Sequence, residues 1–328
     1  MTKKTDLPAT RQDHSLALDL SQAVDPIASV TALISKDPSL EELIALRTAA
    51  VDIKAAACEA RRLENEATRI QVSDLDFTPR RKAMAALSFA SLSFKAVVMI
   101  WPCDNLDIAD GKLALSEAMG PHLLAEHDHV ITLDHDLARR VRVKRAAFAV
   151  GELILPPAPK RPVGESRGLA QWPATRFDLD MMLPKRGGEP LFTATALQRW
   201  IENFEFAPEI AGLAELVERL FATADRLRYL AQVKPDADPG AMRQAAEGAL
   251  IAAYLSAAQV AIRPVAKRSP AAKLKWRVAD IVDDRAGRPD ALHMQAAIRT
   301  LFEDGARLAG LVDPDLMDRS TPNWIEIV

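Results

Sequence analysis

The sequence contains few of the residues on which most catalytic folds depend. Only 13 of its 328 residues are glycine, and cysteine and tyrosine occur twice each. It has no glycine-rich phosphate loop, no Cys-x-x-Cys and no His-Glu-x-x-His pattern. Most cofactor-binding α/β folds need glycines in the turns between strands and helices. These shortages favour a protein that is not an enzyme, and they predict no bound cofactor.

The cysteines, the N-terminus and the net charge indicate the compartment. Cys58 and Cys103 form neither a disulfide framework nor a metal-ligand spacing, which is typical of free thiols in a reducing cytoplasm. The first twenty residues include basic side chains but no apolar core of a secretion leader. A net charge of −3 gives no general attraction to nucleic acid or to a membrane surface. We therefore expect a cytoplasmic protein.

One apolar run, Ala83 to Cys103, approaches the length of a membrane span. Lys95 lies near its middle, where a charge costs roughly 2.5–3.5 kcal/mol on membrane-insertion scales. Three serines weaken the run further. It is predicted to be a buried helix, and no membrane contact is expected.

The sequence is rich in alanine and leucine, and it contains several clear signals for the start of a helix. The glycines and aromatic residues that are typical of β-rich folds are scarce. Ser39 and Glu42 fit a capping box, in which each side chain bonds the other residue's backbone N–H. This alanine-rich, proline-capped style resembles that of helical proteins from GC-rich bacteria. A capping residue precedes a proline at four places: Asp25-Pro26, Thr78-Pro79, Asp238-Pro239 and Ser269-Pro270.

Between these starts, apolar residues recur at intervals of three and four, which predicts an all-α fold. Many of the spaced residues are alanine, which favours antiparallel helices at short interaxial distances. One acid, Glu64, interrupts the apolar seam of the first long helix. The predicted helices are 26–36, 39–70, 79–101, 105–119, 121–154, 195–206, 209–232, 239–262, 270–284 and 289–310.

A proline-rich region divides the helical pattern. Leu155 to Pro190 contains seven prolines and four glycines, which forbid a continuous helix. The predicted architecture is therefore two antiparallel helical-bundle units joined by a basic connector. Its parts are a flexible N-terminal tail at 1–25, an N-terminal helical domain at 26–154, the connector at 155–192, a C-terminal helical domain at 193–312 and a C-terminal tail at 313–328.

The stretch from Glu126 to Phe148 contains three of the six histidines and a reversal of charge. Residues 104–136 include eight acids and one base, whereas residues 137–190 include eleven bases and five acids. A helix of about 3.6 residues per turn scatters these histidines around its circumference, so they cannot converge on one ion. Three polar residues fall on its apolar face and predict a buried polar network or a partner interface: His127, Asp134 and Arg145.

A metal-dependent enzyme is one alternative. Glu126-x-x-His129 matches the repeated element of di-iron helical bundles, and His293, three residues after Asp290, is a looser partner. Glu64 is a further candidate carboxylate. About one residue in seven is acidic, so six histidines give roughly one such match by chance. The short spacing of Arg288 and His293 is also compatible with helical ribonucleases.

Association with nucleic acid is another alternative. Basic residues in the second half of the charged helix and in the connector could neutralise several phosphates. They are Arg139, Arg140, Arg142, Lys144, Lys160, Arg161, Lys185 and Arg186. The charge reversal also complements the dipole of a single long helix. This explanation of the charges requires no ligand.

The interpretation that the sequence favours is a non-catalytic interaction, adaptor or regulatory protein. Its expected partner is another protein, or a second copy of itself, bound through helix faces. The sequence identifies neither the partner nor the oligomeric state.

Overall fold

The computed structural model describes residues 17–18, 20, 23, 25–69, 78–102, 108, 111–112, 185–186, 189–190, 210–234, 238–265, 269–285, 298–299, 301–302, 304–306 and 308. These residues are mostly helical, which confirms the predicted all-α class. The division into two bundle units and a connector stays a prediction.

The helices follow the predicted starts closely. Helical residues also occur at 298–299, 301–302, 304–306 and 308, which we name the 298–308 segment. The bounded helices are α1 (Pro26–Thr31), α2 (Leu40–Thr48), α3 (Ile53–Arg69), α4 (Thr78–Ile100), α5 (Ile210–Val233), α6 (Pro239–Ile262) and α7 (Pro270–Asp283).

The strands are short, with two residues each. β1 (Ala17–Leu18) pairs in parallel with β2 (Ala50–Val51), and β3 (Lys185–Arg186) pairs antiparallel with β4 (Glu189–Pro190). No strand was predicted from the sequence. β1 and the buried Leu20 lie within the predicted N-terminal tail, so those residues contribute to the fold.

The predicted caps start four of the helices. Ser39 and Glu42 form the complete capping box of α2. The other three caps accept hydrogen bonds from backbone N–H groups in the first turn, and a proline follows each one. Such a cap satisfies a donor that the helix itself leaves unbonded. The three are Asp25 of α1, Asp238 of α6 and Ser269 of α7.

The predicted continuous helix at 39–70 is wrong. The backbone leaves the helical region at Ala49, β2 follows, and Asp52 starts α3 by accepting a 2.8 Å hydrogen bond from the N–H of Ala55. The apolar spacing did not reveal the break because it continues across it. Ala50 continues that spacing but is exposed. The first predicted helix, 26–36, also ends early, at Thr31.

α6 is the central helix, and α1, α2, α4, α5 and α7 all pack against it. It is buried almost continuously from Ala245 to Ile262. The crossing with α2 is very close, since a Cβ at Gly248 would lie 2.0 Å from the carbonyl oxygen of Leu43. Helices that precede and follow the predicted connector therefore share one core.

Two helices are long and apolar enough to cross a membrane by length and composition alone. They are the Ala83–Ile100 part of α4 and the whole of α6. In this structure 89% of the Ala83–Ile100 residues, and 94% of an 18-residue apolar window within α6, are buried inside the protein. The apolar run around Lys95 is thus a buried helix, as predicted.

Candidate functional site

Most of the site residues predicted from the sequence lie outside the described residues. Of that set, the structure describes only the backbone of Lys185 and Arg186, which form β3. The others outside the described residues are Glu126, His127, His129, Asp134, Arg139, Arg140, Arg142, Lys144, Arg145, Lys160, Arg161 and His293. Their predicted roles stay predictions.

Within the described ranges, no group of three or more His, Cys, Asp or Glu side chains is arranged to hold a metal ion. Glu64, the further candidate carboxylate, instead accepts a 2.9 Å hydrogen bond from the Nζ atom of Lys95. The acid that interrupts the α3 seam and the base that interrupts the α4 apolar run are therefore partners. The pair satisfies the buried charge of Lys95, which would be costly to bury alone.

A buried polar network occurs at the end of α6. An oxygen of Asp25 accepts hydrogen bonds from the N–H of Ala28 at 3.1 Å and from the hydroxyl of Ser93 at 2.9 Å. Its other oxygen accepts a 2.8 Å bond from Arg263, and the two side chains are 6% and 3% exposed. Desolvation lowers the pKa of Arg263, and Asp25 opposes that shift. One carboxylate thus ties α1, α4 and the end of α6 together.

α5 has a buried side and an exposed side. Its buried residues recur at intervals of three and four, and Phe221 meets the ring of Tyr254 edge-on at 5.0 Å. Arg277 of α7 and Arg285, two residues beyond its end, bond carboxylates on the flank of α5. These contacts fix the helix, so the outward stripe has a defined position.

We name the outward stripe of α5 the α5 face. Its members recur at intervals of three and four, so they lie on one side of the helix. Tyr229 is 63% exposed and Val233 is 48% exposed, although both are large and largely apolar. The members are Arg219, Ala222, Arg226, Tyr229 and Val233.

A cleft of about 360 Å³ lies beside the α5 face, and we name it the α5 cleft. The loop residues Lys36, Asp37 and Pro38 form one wall, and Arg219 and Arg226 lie on the other. Arg219 donates a 2.9 Å hydrogen bond to Asp37. Among the described residues, Lys36 and Arg226 have no acidic partner. The cleft therefore has three cationic groups and one acid.

Glu42 holds the loop that carries Lys36. Its carboxylate accepts hydrogen bonds from the N–H of Ser39 at 2.6 Å and from the N–H of Ser35 at 3.1 Å. The bond from Ser39 is the main reason that the pKa of Glu42 lies below its ordinary value. The capping box therefore starts α2 and also closes the loop at 35–39 into a fixed wall.

Sequence reasoning missed the α5 face. Apolar periodicity locates the buried side of this helix and does not report what lies on the opposite side. Tyr229 and Val233 lie on the same side of the helix as Arg219 and Arg226, opposite the buried residues. This pattern indicates the face. The α5 cleft was not predictable in the same way, because its other wall is more than 170 residues away in the chain.

The predicted connector also contains one short pattern that is typical of a class of enzymes. Residues 164–168 spell Gly-x-Ser-x-Gly, which is the pattern of the nucleophile elbow in α/β-hydrolases. That elbow needs a strand before it and a helix after it. The five residues lie outside the described part of the chain, and the prolines around them predict neither element.

The α5 face and the α5 cleft together offer cationic groups, an aromatic ring and an apolar side chain. Such a surface suits recognition of an acidic, partly apolar ligand and holds no nucleophile paired with a base. In comparisons with protein-family models, with curated protein sequences and with solved structures, nothing matches this chain.

Proposed function

We propose that this chain is a non-catalytic interaction protein that binds an acidic segment of another protein through the α5 face and the α5 cleft. The observation that carries the proposal is that Lys36 and Arg226, which lack acidic partners among the described residues, line one cleft, and that the exposed Tyr229 lies about one helical turn beyond Arg226. Tyrosine and arginine are enriched among the residues that dominate binding energy at protein interfaces.

Charge favours a partner of the opposite sign. A carboxylate entering the α5 cleft would meet Lys36 and Arg226 without breaking the bond between Arg219 and Asp37. Complementary charge of this kind raises association rates and excludes partners of the wrong sign. Tyr229 and Val233 would add apolar contact area next to the charged pocket.

The same charges disfavour self-association through this face. In a symmetric dimer each copy presents the same patch to the other, so arginines would approach arginines. Like charges placed opposite each other oppose binding. We therefore assign the α5 face to a different protein. The cytoplasmic location stays a prediction from the sequence.

Binding of labelled peptides tests the proposal. The probes are a short peptide rich in Glu and Leu, the same peptide with Gln in place of Glu, and a single-stranded DNA of equal charge. We expect the acidic peptide to bind more tightly than the Gln peptide and the DNA, with an affinity that falls as salt increases. Fluorescence anisotropy at two salt concentrations measures this difference.

Two variants locate the binding. The double variant Lys36→Glu, Arg226→Glu should lose binding of the acidic peptide by about tenfold or more. Arg243→Glu changes an exposed arginine at the start of α6, outside the α5 face, and should leave binding unchanged. Equal effects of the two variants contradict the proposal. Tighter binding of DNA through the same residues would favour the nucleic-acid alternative instead.

A further inference from the structure

The α5 cleft contains more hydrogen-bond donors than one carboxylate can use. Lys36 lines one wall, and Arg219, Thr223 and Arg226 are spaced three or four residues apart on α5, so they share the other wall. A carboxylate has two oxygens and one negative charge, whereas a phosphate group on a side chain has three acceptor oxygens and a charge near −2. The donors and the charge of the cleft therefore distinguish these two anions.

Thr223 distinguishes the cleft from an ordinary basic surface. The hydroxyls of Thr31, Thr48 and Thr68 donate to backbone carbonyl oxygens three or four residues earlier in their own helices. Thr223 lies in the middle of α5 and is half-buried, yet its hydroxyl has no such bond and no other partner in the part of the chain that the structure describes. It is therefore able to donate to a ligand in the cleft.

The cationic side chains also retain donors. Lys36 and Arg226 have no hydrogen-bond or ion-pair partner among the residues that the structure describes. One nitrogen of Arg219 bonds Asp37 at 2.9 Å, but a guanidinium has five N–H groups, so others remain. The Asp37 side chain is 88% exposed, so most of this acid faces solvent. Four side chains on two walls can thus donate to one anion.

The charge of the cleft matches that of a phosphate group. Three cations and one acid give it a net charge of +2. A phosphorylated serine or threonine carries about −1.5 to −2 at neutral pH and neutralises this excess, whereas a single carboxylate leaves part of it. Arginine also binds phosphate through two parallel N–H bonds. We infer, on the basis of the proposed function, that the α5 cleft binds a phosphoserine or phosphothreonine within the acidic segment of the partner, so that phosphorylation of the partner controls binding.

Three labelled peptides, rich in Glu and Leu and otherwise identical, test this inference on the full chain. At the same two positions they carry phosphoserine-alanine, serine-alanine or glutamate-glutamate, so the first and the third have similar charge. The phosphopeptide should bind about tenfold more tightly than the serine peptide and about threefold more tightly than the glutamate peptide, because three oxygens on one centre can accept from all four side chains. Fluorescence anisotropy measures the three affinities.

Two variants and one control connect this preference to the cleft. Thr223→Val removes the hydroxyl and should reduce the preference for the phosphopeptide over the glutamate peptide by about twofold or more. Asp37→Asn removes the acid of the cleft and should strengthen binding of the phosphopeptide by about threefold. Thr68→Val removes an exposed hydroxyl from α3, outside the cleft, and should change neither affinity. Circular dichroism verifies that each variant is folded.

Failure of this inference and failure of the proposed function give different results. If the phosphopeptide binds no more tightly than the glutamate peptide, or if folded Thr223→Val keeps the full preference, the inference is overturned and the proposed function stands. If none of the three peptides binds, both are overturned.

Discussion

Helices α5 and α6 are both 24 residues long and pack against each other, yet their surroundings are opposite. α6 is buried on all sides over most of its length and consists largely of small residues. α5 is buried along one stripe and presents arginine, tyrosine and valine on the other. The difference separates a helix that holds the fold together from one that is available to a ligand.

Burial on all sides requires small side chains, because five neighbouring helices must pack close to the axis of α6. The sequence of α6 meets this requirement with alanine and glycine, so substitutions there disturb packing or buried charge. The α5 face has open space beside it, so substitutions there change recognition and hardly change stability. Four predictions test this contrast.

The largest effect is expected where α6 ends. Arg263→Met leaves the carboxylate of Asp25 buried without its cation, and breaking a buried ion pair costs about 3–5 kcal/mol. Urea denaturation followed by circular dichroism measures this loss in the free energy of unfolding. Adding Asp25→Asn should restore part of it, since asparagine still caps α1 and removes the charge. A double variant no more stable than Arg263→Met would contradict this account.

The next effect compares two glycines of the two helices. Gly248→Ala places a methyl group 2.0 Å from the backbone oxygen of Leu43, so α2 and α6 must separate. Overpacking of this kind costs about 1–3 kcal/mol, and more where the backbone must move.

Gly212→Ala in α5 is the matched control, because nothing lies within 4 Å of its new methyl group. Alanine favours the helix more than glycine does, so a gain of up to about 1 kcal/mol is expected. The same urea denaturation measures both glycine variants. Changes of the same sign would show that the close crossing of α2 and α6 does not exist.

The third effect is a change of stability with pH. It arises from a lysine that lies beside the end of α6. Lys275 of α7 donates a 2.8 Å hydrogen bond to the carbonyl oxygen of Arg263, and burial lowers its pKa from 10.5 to about 7. Between those two values the unfolded chain binds more protons at this group than the folded protein does. Lys275 therefore makes stability rise with pH across that interval, and its cost is complete below about pH 7.

The free energy of unfolding of the wild type, minus that of Lys275→Met, should increase as pH is raised from about 7 toward 10. Subtraction removes the contribution of the other titrating groups. Lys273→Met, which removes an exposed lysine from the same helix, is the control for loss of a charge. A difference that stays constant with pH would refute the burial of the Lys275 amine.

The sequence predicted the helices well where their ends have chemical markers. Asp25, Ser39, Asp238 and Ser269 each bond a backbone N–H of the first turn, and such a bond depends on neighbours in the chain alone. The break at 49–52 was missed because its cause is distant. Residues 50–51 pair with residues 17–18, a contact that apolar spacing within one segment cannot report.

The candidate sites were less predictable for the same reason. Lys95 and Glu64 each broke an apolar pattern, but their 31-residue separation gave no sign that they would meet. The α5 cleft joins a loop near residue 37 to a helix near residue 222. Periodicity indicates which side of a helix is polar, whereas the partner of that side depends on how distant helices pack.

The smallest effect on stability, and the sharpest contrast with α6, is expected on the α5 face. Tyr229→Ser and Val233→Ser remove exposed side chains, so each should change the free energy of unfolding by no more than about 0.5 kcal/mol. Gln244→Ser, an exposed position in the first part of α6, is the control.

Both α5 variants should nevertheless weaken binding of the acidic peptide by about tenfold, whereas Gln244→Ser should not, as fluorescence anisotropy would measure. If either side chain instead costs several kcal/mol of stability, it is part of the core and cannot be an anchor for a partner. If stability and peptide binding are both unchanged, Tyr229 and Val233 do not recognise acidic segments. α5 then differs from α6 only in having one side exposed to solvent.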